Sequence, residues 1–123
     1  MKIYKFQPKF NKTHNDQNKK ISGWGYWGDP NEIKLAISKG QINYDNYIPE
    51  KRHAHSDSYV YFIVLTGKGL VNVNNTDINV GKDDVLEIAP KEIYFVRKAL
   101  KTPFDWLVIG TITGNKDKIV YDN

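Results

Sequence analysis

The sequence predicts an all-β domain of the sandwich or barrel class. Three observations lead there. From Glu32 onward the chain breaks into short runs in which apolar and polar residues alternate, the signature of half-buried strands. Those runs are rich in Val, Ile, Tyr and Phe and are punctuated by Gly, Asn, Asp and Pro, which bound strands and make turns. No segment keeps a 3.6-residue apolar period over about ten residues, so no helix is expected between the strands. Strands at this spacing close into a sandwich or a barrel.

The elements follow in chain order. Residues 7–20, QPKFNKTHNDQNKK, are polar and aperiodic and read as an arm or loop, with His14 exposed on it. Residues 21–30, ISGWGYWGDP, alternate glycine with Trp24, Tyr26 and Trp27. Glycine permits bends and close backbone approach, so these aromatics are expected to pack at one end of a barrel or in a subunit interface, or else to stack on a ligand. Residues 1–31 thus form an N-terminal strand or arm packed on a domain of residues 32–123. EIKLAIS puts Ile33, Leu35 and Ile37 on one face; Lys39-Gly40 reads as a turn; QINYDNYIP puts Ile42, Tyr44 and Asn46 on one side. HAH is followed by a Ser/Asp turn, a long β-branched and aromatic strand, and a Gly67/Gly69 turn. LVNVNNTDINV reads as a hairpin through Asn74-Asn75, because Asn tolerates the positive φ of such turns. GKDDVLEIAP is a turn and a strand stopped by Pro90, and EIYFVRKAL, TPFDWLVIGTIT and KIVYDN supply the last strands. Glu87, Lys98 and Asp105 read as solvent-facing, since charges are rarely buried unpaired. Trp106 reads as core.

Composition bounds the function. A chain of 123 residues has room for one core, and 40% apolar content with eight Tyr, five Phe and three Trp is enough to build it. No run of about 18 apolar residues predicts a membrane helix, and MKIYKFQPKF lacks the apolar centre of a signal peptide; the cytoplasm is the expected compartment. The absence of cysteine excludes disulfides, thiolate metal sites and a Cys nucleophile. The net charge of +4 is concentrated early, at Lys2, Lys5, Lys9, Lys12, Lys19 and Lys20. With no recognition helix or base-stacking motif, neither nucleic acid nor a membrane is the expected partner. The field suits a small anionic ligand such as a phosphate or nucleotide.

His53 and His55 hold the chemistry. Side chains two apart on a strand share a face, about 6–7 Å apart. If that face is the barrel interior, two imidazoles converge on one point, as in a bis-imidazole metal site or a general acid–base pair. On an edge strand the same motif is two surface histidines.

The stretch from Arg52 to Lys98 resembles the core of the cupin superfamily. His53, His55 and Gly67 match the first motif of that family, and Gly81, Asp83 or Asp84, and Pro90 match the second. The resemblance spans roughly residues 40–112 and implies a cupin jelly-roll β-barrel, commonly dimeric, with a polar N-terminal arm and an internal pocket. Two of the family's four usual metal ligands are replaced. Val60 stands where the glutamate is expected, seven residues before Gly67. Tyr94 stands where the last histidine is expected, and a one-residue shift would put Phe95 there. If any metal is held, His53 and His55 hold it weakly; a tight, dedicated site needs three or four protein ligands. Tyr94 or Asp57 could complete such a set only with difficulty. KRHAH is also similar to a segment of the cupin-type nucleotide-sugar 3,4-ketoisomerases, although their Trp-His pair after the second proline is absent.

The expected site is therefore His53, His55 and Tyr94 as acid–base groups, with Arg52, Tyr44, Asp57, Val60 and Phe62 around the substrate. Three functions fit: a metal-independent isomerase or epimerase of a sugar, nucleotide-linked for preference; a non-catalytic small-molecule or sugar binder; and a metal-dependent enzyme with an unusual His/His ligand set. The outward face holding Tyr59, Tyr61, Ile63 and Leu65 is too apolar to be left in water, and the N-terminal segment or a second copy in a homodimer is expected to cover it.

Overall fold

A computed structural model of the protein describes residues 1–9, 22–29, 32–43, 51–111 and 117–121. Among these residues there are nine strands and no helix: β1 (Phe6–Lys9), β2 (Ser22–Trp27), β3 (Ala36–Ile42), β4 (His53–His55), β5 (Val60–Val73), β6 (Thr76–Gly81), β7 (Val85–Ile88), β8 (Tyr94–Gly110) and β9 (Lys118–Val120). All the pairings are antiparallel. No helix in the described part is long and apolar enough to cross a membrane.

Two long strands organise the roll. β5 and β8 pair along their length, from Val60 opposite Gly110 to Val73 opposite Tyr94. On its other edge β8 takes β3 over Phe104–Gly110 and touches β4 at Tyr94. The free edge of β5 takes β7 over Val60–Ile63 and β6 over Lys68–Val73. The nine strands form one continuous sheet that branches at the two long strands, in the order β1-β2-β3-β8-β5-β7 at one end and β9-β4-β8-β5-β6 at the other. The register slips repeatedly between Val64 and Val71, irregularities of the kind that bend a strand pair and curl its sheet. This is an all-β jelly-roll architecture.

The alternation of β5 fixes which side is inside. Val60, Phe62 and Val64 are buried with Ile42 of β3 and Val96 and Phe104 of β8. Tyr59 and Leu65 on the opposite face are exposed, and Tyr61 and Ile63 between them are partly covered. Phe62 stacks on Trp106 with ring centroids 5.5 Å apart, so Trp106 packs on the core rather than facing solvent.

Several elements differ from the sequence expectation, each for a packing reason. Gly67 and Gly69 do not turn the chain between two strands; they lie inside the single strand β5, at its bend. Gly67 has φ +75, and a Cβ there would run into the carbonyl oxygens of Pro103 and Lys101. EIYFVRKAL and TPFDWLVIG are likewise one strand, β8. Lys39-Gly40 is not a turn, because β3 runs straight through it; Gly40 leaves room for the Trp106 indole. The alternation in EIKLAIS overstates its strand, which begins at Ala36: the amides of Glu32 and Ile33 instead close a turn onto the carbonyl of Asp29, and Leu35 is exposed. Residues 7–9 of the expected arm belong to β1, and the Gly-aromatic segment forms β2, paired between β1 and β3. The Asn74-Asn75 hairpin is present, with φ of 49° and 68°, between Val73 and its partner Thr76. Asn46 and His14 lie outside the described residues.

Candidate active site

β4 is three residues long, and all three are buried. It is held on one side by β9, with His53, Ala54 and His55 opposite Val120, Ile119 and Lys118. Its other side meets β8 at one position, His53 opposite Tyr94. Further main-chain bonds fix its ends: Tyr121 N donates to the carbonyl of Arg52 at 2.9 Å, Ser56 N to that of Asp117 at 3.0 Å, and Lys91 N to that of His55 at 2.7 Å.

Strand alternation puts both imidazoles on one face, and register adds the phenol. The ring centroids of His53 and His55 are 5.9 Å apart. Tyr94 lies 4.3 Å from His53 and 6.4 Å from His55. His53, His55 and Tyr94 are 6%, 9% and 4% exposed, so the cluster is nearly shut off from bulk water. Phe95, the alternative to Tyr94, points elsewhere and lies under the Arg97 guanidinium.

A fourth group completes the cluster, and it was not expected from the sequence. Asp117, just before β9, puts Oδ1 3.1 Å from Nδ1 of His55. Its Oδ2 accepts three hydrogen bonds: from Ser58 N at 2.8 Å, Ser58 Oγ at 2.7 Å and Asp57 N at 3.1 Å. Burial pushes this carboxyl's pKa up, but the bonds from Ser58, from His55 and from the two backbone amides outweigh it and hold Asp117 well below the usual carboxylate range. Asp117 is therefore an anion at neutral pH. His53 has a different neighbour, the main-chain carbonyl of Lys51, 3.1 Å from its Nδ1.

The remaining expected residues take several positions. Arg52 is partly buried immediately before β4. Val60 and Phe62 belong to the apolar cluster that also includes Tyr94. The Asp57 side chain is exposed and accepts a bond from Ser56 Oγ at 2.9 Å; toward the site this residue contributes its backbone N–H. Tyr44 lies outside the described residues. No local pattern in the sequence marks Asp117, because its partners His55 and Ser58 are 62 and 59 residues away.

The resemblance implies a metal at such a histidine pair, and among the described residues the donors fall short of the family's usual set. Val60, which stands in place of the family's carboxylate, is aliphatic and buried. Among the described residues no group of three His, Cys, Asp or Glu side chains is placed to share an ion. Two imidazoles fall short of the three or four protein donors of dedicated zinc or iron centres.

No protein-family model matches the sequence, and no curated protein matches it significantly. Solved structures do match its fold. A predicted oxalate decarboxylase from Thermotoga maritima superposes with a TM-score of 0.69 at 11% identity, covering 90% of this chain and 99% of that one. An uncharacterised conserved protein with a double-stranded β-helix domain from Klebsiella pneumoniae gives 0.65 at 9% identity, covering 90% and 91%. A Tyr-to-Phe variant of Streptomyces PAC13, solved with uridine, gives 0.59 at 14% identity, covering 98% and 92%. A single antiparallel sheet curled along two long strands, and superpositions covering 90% or more of the chain, establish that it has the cupin fold, the double-stranded β-helix.

Proposed function

We propose that the cluster is the acid–base centre of a metal-independent isomerase or epimerase. Its substrate is a small polar carbonyl compound, with a nucleotide-linked keto sugar as the leading class. The observation that supports this reading is the contact of two buried imidazoles with one buried phenol. Imidazole titrates near neutrality and exchanges protons at physiological pH; a phenol, with its ordinary pKa near 10, donates a hydrogen bond without losing its proton.

In the proposed reaction one imidazole removes the proton from the carbon next to the substrate carbonyl. The C–H electron pair forms the new C=C bond, and the carbonyl pair moves onto oxygen. The Tyr94 hydroxyl donates a hydrogen bond to that oxygen as charge develops on it. When the deprotonated carbon carries a hydroxyl, return of the proton to the former carbonyl carbon, with the proton of that hydroxyl passing to the enolate oxygen, gives the isomer; return of the proton to the opposite face of the original carbon, with the carbonyl re-formed, gives the epimer. The low exposure of the site protects the enolate from bulk water. Arg52, at the entry to β4, and the basic surface would attract a phosphate-bearing substrate. That a cupin-fold neighbour was solved with uridine makes nucleoside-linked sugars the first compounds to try.

The test is solvent exchange. The protein is incubated in D2O with nucleoside-diphosphate keto sugars, and deuterium at the carbon next to the carbonyl is followed by NMR and mass spectrometry. The expected result is enzyme-dependent incorporation that falls by on the order of 10²-fold or more in His53→Ala and in His55→Ala. Normal exchange in both variants overturns the proposal. Tight binding with no exchange favours a non-catalytic sugar-binding role instead.

A further inference from the structure

β9 brings to the site a residue that the acid–base reading does not use. In an antiparallel pair, directly opposite residues send their side chains to the same face, with Cβ atoms about 4.5–5.5 Å apart. That rule accounts for Tyr94, the register partner of His53, whose ring lies 4.3 Å from the imidazole. On the other edge of β4 it puts Lys118 beside His55 and Val120 beside His53. The two strands differ sharply in exposure. His53, Ala54 and His55 are all buried, whereas Lys118, Ile119 and Val120 are all exposed. Among the described residues β9 is also the last strand at its end of the sheet. Lys118 and Val120 therefore form the rim where the histidine face passes into solvent, a cation next to His55 and an aliphatic side chain next to His53.

The geometry points to Lys118 as the anion-binding residue of the site: it holds a phosphoryl group of the substrate at the rim while the carbonyl end reaches the histidines and Tyr94. This rests on the acid–base reading above and assigns the charged part of the substrate a place within it. Burying an unpaired anion is costly, so a pair of imidazoles only 6% and 9% exposed admits the neutral end of a substrate and leaves its charged end at the edge. Among the described residues the Lys118 side chain has no ion pair or hydrogen bond. The carboxylate next to it in the chain, Asp117, has its oxygens engaged by His55, Ser58 and the Asp57 amide. Lysine binds phosphate as a point charge on a flexible stem, which suits a position at a solvent edge. Neighbouring strands lie about 4.8 Å apart, a spacing comparable to a sugar ring. A keto sugar seated on the imidazoles therefore directs a phosphoryl group on its far side toward β9.

The experiment compares the full chain as wild type, Lys118→Gln, Lys118→Arg and, as a control for net charge, Lys82→Gln in the turn between β6 and β7. Titration calorimetry with inorganic pyrophosphate and with uridine diphosphate reads binding without turnover, and the D2O assay reads exchange into a keto sugar with and without its diphosphate. Lys118→Gln is expected to weaken diphosphate binding by about 10- to 100-fold, the worth of a hydrogen bond to a charged group, and to flatten its dependence on salt. Lys118→Arg should keep most of the affinity, and Lys82→Gln should bind as wild type does. Where exchange is present, KM for the diphosphate-linked sugar rises by the same factor with kcat nearly unchanged, and exchange into the neutral keto sugar is unaffected. Undiminished diphosphate binding in Lys118→Gln overturns the inference, as does an equal loss in Lys82→Gln or the absence of diphosphate binding to wild type. The two readings fail separately: Lys118-dependent binding without exchange removes the proposed function, while exchange indifferent to Lys118 removes the role of the lysine.

Discussion

His53 and Tyr94 are register partners across β4 and β8, and their rings lie 4.3 Å apart. This single pairing is the only register contact between the histidine strand and the long strand β8. It brings a phenol to the imidazoles because β8 starts at that residue, after a turn in which the Ala89 amide donates to the Glu92 side chain and the Ile93 amide to Asn74 Oδ1.

Tyr94→Phe keeps the ring contact and removes the hydroxyl. Exchange into a keto sugar should fall by on the order of 10²–10⁴-fold, the usual contribution of a positioned acid or oxyanion donor. Unfolding free energy should change by only about 0.5–1.5 kcal/mol, the net worth of one hydrogen bond. Urea melts beside the exchange assay check both, and an active Tyr94→Phe protein removes the phenol from the mechanism.

The two motif glycines should behave differently. Gly67→Ala forces a side chain into φ +75 and against two main-chain oxygens that cannot move independently, so a loss above roughly 3 kcal/mol is expected. At Gly81 a Cβ would make ordinary contact, its nearest neighbour being the flexible Lys68 side chain at 3.5 Å. Gly81→Ala should therefore lie within about 1 kcal/mol of wild type. Denaturant midpoints at constant m-value decide; equal losses at the two positions would contradict this account.

What could be read in the sequence was local. His53 and His55 share a face because strand alternation alone requires it, and the Asn74-Asn75 hairpin follows from the tolerance of Asn for positive φ. Contacts set by distant segments could not be read. Asp117 sits in a polar TGNKDK stretch that carries no periodic or motif signal, yet it is buried against His55 and Ser58. Glycine misled in both directions. Gly40 reads as a turn residue, but its missing side chain serves the Trp106 ring; Gly67 and Gly69 read as a chain reversal, but they let β5 pass close against β8 where the register shifts. Only the packing partner distinguishes these uses.

Metal removal should leave function intact. Two imidazoles without a carboxylate or third histidine bind a divalent ion weakly and exchangeably. Protein purified without an affinity tag should contain well under one equivalent of any transition metal. Exchange activity should survive dialysis against EDTA. A stoichiometric metal that disappears in His53→Ala or His55→Ala, with activity restored by one added ion, would turn the site into a metal centre with an unusual ligand set.

Asp117 should also leave its mark on stability against pH. Its carboxyl is held in the folded state below the ordinary value of 3.8, so between those two values the unfolded chain binds a proton that the folded chain refuses. Stability from this group is complete above the ordinary carboxylate range and drains away as pH falls below 3.8 toward the folded value. Asp117→Asn has no such proton to take up. It should be less stable than wild type at pH 7, since the amide cannot reproduce the charge-assisted bonds to Ser58 and His55. Its unfolding free energy should then fall less steeply with acid, so that the two curves converge at low pH. Urea titrations of both proteins from pH 7 down to the acid limit of folding measure this, and parallel curves would show that Asp117 is not the anion its hydrogen bonds require.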